Sequence, residues 1–293
     1  MNKNIKQIET IKNRSYTACV SESFRIMSGN IKTIFFHTWL YALILSLAIA
    51  FYASFITQLT FKGYDMALSI GVLVSVIVMI CAEVLYYART MTLLNHQTFK
   101  KNNIRCAKIM CLYIGFSILI GIIYSILAFI LLGDKPTISL DDPMLLVFPA
   151  ISLVIMLVTL PYIYVFMKYL SEPETKLRKL VLRAYKIGFR HWGFIFAALF
   201  LAGLCAAVCG TIVSIPLLIV LSANTISVIG VRYLADPIGL PSYFPVLQFF
   251  VYFLTSFVYM YINIFILFTC NLIYGSIEAK EKERKEFLLN KQQ

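Results

Sequence analysis

The sequence predicts an all-α membrane protein, a bundle of six transmembrane helices, and three observations support this prediction. Hydrophobic residues make up 60% of the 293-residue chain and charged residues only 14%, against about a quarter charged in ordinary soluble proteins. Six apolar runs are each long enough to cross a hydrocarbon core of about 30 Å as a helix. All but three of the 26 Lys and Arg residues also lie on one side of that bilayer.

An amphipathic helix is predicted ahead of the first span. Residues 1–14 are polar and basic, lack the small-residue cleavage site of a signal peptide, and are interpreted as a cytoplasmic tail. The apolar side chains that follow recur at helical spacing: Tyr16, Val20, Phe24, Met27 and Ile31. Such a helix lies in the headgroup layer. It leads into the first predicted span, residues 34–57, where small residues fall every four positions: Ala42, Ser46, Ala50 and Ser54.

The next three predicted spans cover residues 66–88, 109–132 and 144–170. Glu83 lies inside the second span and is the only acidic residue inside any predicted span. A basic loop separates the second and third spans, and an acidic, turn-rich loop at residues 133–143 precedes the fourth. Pro149 and Pro161 predict a kink within the fourth span.

A second amphipathic helix is predicted from Ser171, which forms the pattern of a capping box with Glu174, and Pro173 lies in the first turn. A cationic stripe follows on one face of this helix: Lys176, Lys179, Arg183, Lys186 and Arg190. We expect these cations to bind lipid headgroups, each contributing about 1 kcal/mol near an anionic leaflet. The alternative is a solvated charged face in a connecting loop. The cationic stripe does not belong to a separate soluble domain, which argues against nucleic acid as a partner.

The fifth predicted span, residues 194–222, contains no charge and is longer than the membrane core requires, so we expect tilt, a bend at Pro216 or an interfacial end. Small residues recur every four positions along one face: Ala198, Ala202, Ala206, Gly210 and Ser214. In lipid, apolar burial does not pull helices together, so this small-residue seam predicts a contact line with another helix. Residues 223–242 are mixed and are interpreted as an interfacial helix with a turn.

The sixth predicted span, residues 245–274, is rich in aromatic residues and is interrupted by Gln248, Asn263 and Asn271. A charged cytoplasmic tail, residues 278–293, follows as a helical extension. Its predicted four-residue ion pairs join Glu278 to Lys282 and Glu281 to Lys285. The chain thus divides into the tail at 1–14, an amphipathic helix with four spans at 15–170, a second such helix with two spans at 171–277, and the tail at 278–293.

The two amphipathic helices indicate an internal duplication. Aligning residues 24–26 with residues 185–187 also aligns Ile34 and Phe35 with Ile195 and Phe196, an offset of 161 residues.

The distribution of charge predicts the orientation. Only Lys62, Lys135 and Arg232 of the 26 Lys and Arg residues fall on the side opposite the termini. All the aspartates fall on that same side: Asp65, Asp134, Asp141, Asp142 and Asp236. Because cytoplasmic loops carry the excess of Lys and Arg, both termini are predicted to lie in the cytoplasm.

Few residues are candidates for chemistry. Glu83 is either a proton or substrate ligand or a hydrogen-bonded structural carboxylate, because a charge within a span is costly unless it is paired or wetted. Asn263 and Asn271 are either interhelical hydrogen-bonding residues or part of the same path. The three histidines are scattered, the seven cysteines suggest no disulfide framework, and the motifs HExxH, GxSxG and GxxxxGK are absent. We therefore expect no metal, no cofactor and no enzymatic activity.

An amphipathic helix that enters a small-residue span, twice within a six-span body, resembles poorly characterised bacterial membrane modules such as the membrane domain attached to some glycerophosphodiester phosphodiesterases. This resemblance implies the cytoplasmic membrane of a bacterial cell. The resemblance lies in the layout of most of the chain, and the phosphodiesterase barrel is absent. It implies a membrane-embedded accessory module. We expect a non-enzymatic protein that binds membrane lipids and a membrane partner or a second copy of itself. The alternative is a transporter of small solutes or lipids with Glu83 lining the path.

Overall fold

The computed structural model describes residues 10–132, 144–233 and 239–291, and these ranges contain helices and no strand. The helices are α1 (Tyr16–Gly29), α2 (Ile31–Lys62), α3 (Met66–Asn95), α4 (Phe99–Leu132), α5 (Met144–Thr159), α6 (Pro161–Ser171), α7 (Leu177–Arg190), α8 (Trp192–Tyr233) and α9 (Phe244–Asn290). The predicted acidic loop at residues 133–143 and the first nine residues of the predicted tail lie outside the described ranges.

Six helical stretches in the described part of the chain are long and apolar enough to cross a membrane. They correspond to α2, α3, α4, α5 together with α6, α8 and α9. The predicted all-α bundle with six spans is therefore confirmed.

The long helices alternate in direction, which gives the bundle two ends with different composition. Arg89 Nε of α3 donates to the carbonyl of His37 in α2 (3.0 Å), at the end that also holds α1 and α7. We call this the basic end. Thr57 Oγ1 of α2 lies 2.8 Å from Tyr252 OH of α9 at the other end, where residues 63–65 connect α2 to α3. We call this the distal end.

The tight connection between α2 and α3 follows from three residues. Gly63 ends α2 with φ of 95°, a left-handed conformation that favours glycine. The side chain of Asp65 accepts a hydrogen bond from the backbone N–H of Ala67 (2.8 Å), which caps the start of α3. α2 and α3 are thereby held antiparallel and side by side.

Helix α9 lies at the centre of the bundle and contacts α1, α2, α6 and α8. Every residue from 271 to 277 is buried, and Tyr86 of α3 donates its hydroxyl to the carbonyl of Met260 (2.5 Å). By contrast, no residue in the most apolar window of α4 is buried within the protein. The distal part of α4 therefore presents its apolar side chains to the membrane.

The structure corrects two predicted boundaries and confirms a third. α8 continues as one helix through Pro216 to Tyr233, so an interfacial helix with its own start after residue 222 is wrong for residues 223–233. α4 begins at Phe99, so most of the predicted basic loop is helical. The predicted kink in the fourth span is confirmed, because α5 ends at Thr159 and α6 starts at Pro161, whose ring cannot continue an uninterrupted helical hydrogen-bond ladder.

The predicted offset of 161 residues also relates the helix boundaries of the two pairs α1–α2 and α7–α8. Both α1 and α7 contain 14 residues, and a single residue, Asn30 or His191, separates each from the long helix behind it. The N–H of Asn30 donates to the carbonyls of Ile26 (3.2 Å) and Met27 (3.3 Å). The N–H of His191 donates in the same way to residues 187 (3.2 Å) and 188 (3.1 Å).

Candidate membrane-binding surface

Helix α7 presents part of the predicted cationic stripe at the surface of the basic end. The side chains of Lys176, Arg183 and Lys186 are exposed. The side chain of Lys179 lies outside what the structure describes, although its backbone belongs to α7. Three of the five predicted headgroup cations are thus free to meet a ligand.

The opposite face of α7 packs on α6. A Cβ added at Gly188 would lie 2.8 Å from the carbonyl oxygen of Pro161, so only glycine allows this approach. The hydroxyl of Tyr185 donates to the carbonyl of Val158 (3.1 Å), and its ring centroid lies 4.9 Å from that of Tyr162. Ala184 is 2% exposed. α7 is therefore fixed to the bundle by its small residues.

Two bulky apolar side chains of α7 point away from this packing. Leu182 is 76% exposed and Phe189 is 58% exposed. At about 100° per residue they lie roughly 20° apart, and Lys186 lies about 40° from Leu182. α7 thus has three faces: one packed on protein, one cationic, and one apolar and largely exposed. This is the arrangement of a helix that lies in a membrane interface.

The predicted headgroup cation Arg190 is bound to protein. Its Nη1 lies 3.1 Å from both carboxylate oxygens of Glu281 in α9. His191 Nε2 lies 2.9 Å from the same carboxylate. Trp192 Nε1 donates to the carbonyl of Leu157 (2.9 Å). The junction between α7 and α8 is therefore tied to α5 and α9 by three consecutive side chains.

A second polar cluster joins α6 to α9 at the basic end. Lys168 Nζ lies 2.6 Å from Glu278 and 3.3 Å from Glu172. Tyr164 donates its hydroxyl to Glu278 (2.5 Å), and Tyr274 donates to Glu172 (3.2 Å). The sequence predicted ion pairs from Glu278 to Lys282 and from Glu281 to Lys285. This prediction is wrong, because both carboxylates bond to side chains outside α9.

The predicted capping box at Ser171 is wrong, because Ser171 is the last residue of α6 and α7 begins only at Leu177. Arg105 of α4 explains the interruption. Its guanidinium donates to the carbonyls of Tyr169, Glu172 (2.8 Å) and Pro173 (2.7 Å) and lies over the Tyr169 ring (4.6 Å from Cζ to the centroid). A cation at the end of a helix satisfies carbonyls that have no intrahelical partner.

The predicted path residues lie at different levels of the bundle. Tyr86, three residues after Glu83, bonds to Met260, three residues before Asn263, and α3 and α9 run in the same direction, so Asn263 lies about 9 Å nearer the basic end than Glu83. Both side chains are half-buried. Asn271 is 3% exposed and lies eight residues further along α9, about 12 Å nearer the basic end.

The small-residue seam of α8 lies against α9 and α1. Ala198 and Ala202 are 0% exposed, and Ala202 packs with Val20 and Phe265. Further along, Tyr259 of α9 donates its hydroxyl to the carbonyl of Gly210 (2.9 Å) and lies 2.7 Å from Ser214 Oγ. Ala206, between these two contacts, is half-buried. The seam therefore follows other helices along most of its length.

The Lys168–Glu278 and Arg190–Glu281 clusters were missed by the sequence reasoning. One feature of the sequence could have predicted them: both glutamates directly follow an apolar span, at the same membrane boundary as Lys168 and Arg190. Within the described ranges, no three His, Cys, Asp or Glu side chains are grouped as metal ligands would be.

The fold defines the class of protein: with six membrane-spanning apolar stretches in the residues that the structure describes, this chain is a multi-pass integral membrane protein. No family model, no curated protein and no solved structure matches the chain.

Proposed function

We propose that the protein is a non-enzymatic membrane module that binds anionic lipid headgroups at its basic end through α7. The observation that supports the proposal is the exposed cationic face of α7 beside the exposed side chains of Leu182 and Phe189. In the same proposal the basic end and both termini face the cytoplasm of a bacterial cell, because Lys and Arg concentrate there.

The energies favour this function. Three exposed cations near an anionic leaflet contribute about 1 kcal/mol each. Transfer of Leu182 and Phe189 from water into the acyl boundary contributes roughly 1.5–3 kcal/mol each. Because α6 already holds α7 in place, no additional free energy is needed to order the helix on binding.

The test is lipid retention in nanodiscs that contain phosphatidylcholine and phosphatidylglycerol. We expect the variant Lys176→Gln/Arg183→Gln/Lys186→Gln to retain about tenfold less phosphatidylglycerol than the parent, measured by native mass spectrometry after gentle release. The matched control carries three neutralised cations on the α9 extension: Lys282→Gln, Lys285→Gln and Lys291→Gln. Equal losses in both variants would show that net charge, and not α7, recruits the lipid.

A further part of the proposal is that the module works with a membrane partner or a second copy, which would pack on the lipid-facing sides of α4 and α5. Ile122 and Phe129 of α4 and Val154 of α5 are 52%, 77% and 59% exposed. The resemblance in layout to the membrane domain attached to some glycerophosphodiester phosphodiesterases would agree with an accessory role. The stoichiometry in nanodiscs, measured by mass photometry, tests this part: a single copy without a co-purified protein contradicts it.

The second candidate function is transport of a small solute or lipid, which is favoured by a cavity at the distal end with a volume of about 270 Å³. Glu83 does not line this cavity, so the path of this candidate must also extend from the cavity to Glu83 in α3. Glu83→Gln tests it in proteoliposomes with a panel of small solutes. Lost uptake with unchanged thermal stability supports transport, whereas lost folding identifies Glu83 as a structural carboxylate.

A further inference from the structure

We propose that the distal cavity is a binding site for an uncharged group that carries hydroxyls. The cavity has a volume of about 270 Å³ and lies between the distal ends of α2, α8 and α9. Its polar lining consists of Thr57, Gln58, Asn224, Ser242 and Gln248. Its apolar lining consists of Phe61, Leu240, Pro241, Phe244 and Pro245. This site lies at the opposite end from the α7 surface and does not depend on the function proposed there.

A chain of hydrogen bonds runs from the cavity wall into the bundle. Asn224 Nδ2 donates to Gln248 Oε1 (3.1 Å), and Gln248 Nε2 donates to Tyr252 OH (2.9 Å). Tyr252 OH lies 2.8 Å from Thr57 Oγ1, which donates to the carbonyl of Ala53 (2.7 Å). Because the Thr57 hydroxyl donates to Ala53, Tyr252 is the donor in the preceding bond, and the whole chain points one way.

The four side chains that form this series of hydrogen bonds are each more than nine-tenths buried. Their exposed fractions are 8% for Asn224, 5% for Gln248, 4% for Tyr252 and 8% for Thr57. Buried polar side chains in a membrane protein cost free energy unless they are bonded, so a chain of this length between three helices is a built feature. It fixes the orientation of the two amides that face the cavity.

The fixed amides determine what the cavity can bind. Both N–H groups of the Asn224 amide are used, by Gln248 and by the carbonyl of Val220 (3.1 Å), so the group it directs to a ligand is its acceptor oxygen. Gln248 has one N–H group that the chain does not use. A hydroxyl both donates and accepts and therefore matches this pair, and Gln58 and Ser242 offer additional polar groups.

The volume of the cavity and the absence of charged side chains among the described residues of its lining limit further which ligands can bind. At about 30 Å³ per water, the cavity holds roughly nine waters, so a glycerol group, which has fewer non-hydrogen atoms than nine waters, fits inside it with space left over. The described residues that line it are uncharged, so an ionised ligand would lose its hydration there without a counter-charge. The apolar wall suits the carbon skeleton. The group is either the glycerol moiety of a neutral lipid or a free polyol.

Photo-crosslinking in nanodiscs tests the site. The probe is a diazirine-bearing dioctanoylglycerol, with labelled peptides identified by mass spectrometry. We expect labels within residues 57–61 or 240–248, competed by unlabelled dioctanoylglycerol if the source is a lipid and by glycerol if it is a soluble polyol. Labels elsewhere, or equal labelling of these residues by a diazirine-bearing phosphatidic acid or hydrocarbon, would overturn the proposal.

The variant Gln58→Leu supplies the control for folding. Gln58 lines the cavity but is not part of the hydrogen-bonded chain, so its replacement leaves the bonds between Asn224, Gln248 and Tyr252 intact. We expect at least a fivefold loss of labelling with an unchanged melting temperature. Thr60 lies two residues after Gln58 in α2 and does not line the cavity, so the variant Thr60→Val should be labelled as strongly as the parent. Equal labelling of Gln58→Leu and the parent contradicts the assignment.

Discussion

The pairs α1–α2 and α7–α8 share a backbone plan but place their short helices in different surroundings. Each has 14 residues, one linking residue and a long helix, at an offset of 161 residues. α1 packs against α8 and α9, where Cys19 is 0% exposed and lies 3.4 Å from Ser276 Oγ. α7 instead lies on α6 with its cations exposed. Local sequence therefore sets the break, and side-chain size and charge decide whether the helix enters the core or the interface.

The close fit of α1 has a chemical consequence as well. Burial raises the pKa of the Cys19 thiol, so the thiol stays protonated and unreactive near neutral pH. A Cβ at Gly275 of α9 would collide with the carbonyl of Thr10, just before α1. α1 is thus an integral part of the core, unlike α7.

The largest expected effect comes from placing a charge at matched positions in the two short helices. Val20 of α1 is 6% exposed, whereas Val181, its counterpart 161 residues later, is half-buried. Val20→Lys should cost about 4 kcal/mol or more, because the ammonium is buried without a partner. Val181→Lys should cost about 1 kcal/mol, since its side chain can extend to the interface. Thermal unfolding in detergent and the monodisperse yield measure both. Equal losses would show that α7 is as deeply packed as α1.

A smaller effect distinguishes the two acidic residues that hold α6 and α7 to α9. The side chains of Lys168 and Glu278 are 18% and 21% exposed, whereas Arg190 beside Glu281 is 49% exposed. Glu278→Gln should therefore cost about 2–3 kcal/mol, because the poorly solvated Lys168 keeps only its longer ion pair with Glu172 (3.3 Å). Glu281→Gln should cost about 1 kcal/mol, because its arginine partner remains partly hydrated. Chemical denaturation of both variants gives the order, and the reverse order contradicts this account of the junction.

The smallest effect concerns two glycines of the short helices. Gly188→Ala should cost about 1–2 kcal/mol and loosen α7, because its Cβ would lie 2.8 Å from the Pro161 carbonyl. Gly29→Ala in α1 meets no atom within 4 Å and should stabilise by up to about 1 kcal/mol through helix propensity. Hydrogen exchange of α7 amides should rise only in the first variant. An unchanged α7 in Gly188→Ala would show that the contact with α6 is not tight.

The spans were predictable because membrane crossing is a local property of about 20 consecutive residues. The break at Pro161 was predictable because proline disrupts a helix by its own ring. The end of α6 was not, since the carbonyls of Tyr169 and Glu172 accept hydrogen bonds from Arg105, which lies more than 60 positions earlier.

The sequence was least informative about which residues the charged and polar side chains bond to. Glu278 has Lys282 at ideal spacing on its own helix, yet it bonds to Lys168, because the less exposed site gives the stronger interaction. Gln248 was recognised only as an interruption of an apolar run. Its partners Asn224 and Tyr252 become meaningful once α8 and α9 are placed side by side.

The depth of α7 in the membrane tests the central proposal most directly. A spin label attached through an unnatural keto amino acid at position 182 leaves the native cysteines unchanged. In nanodiscs with phosphatidylglycerol, we expect this label to collide with oxygen more often than with a water-soluble nickel complex. A label at position 286, on the exposed α9 extension, should show the opposite preference. If position 182 behaves like position 286, α7 lies in water and the lipid-binding proposal is wrong.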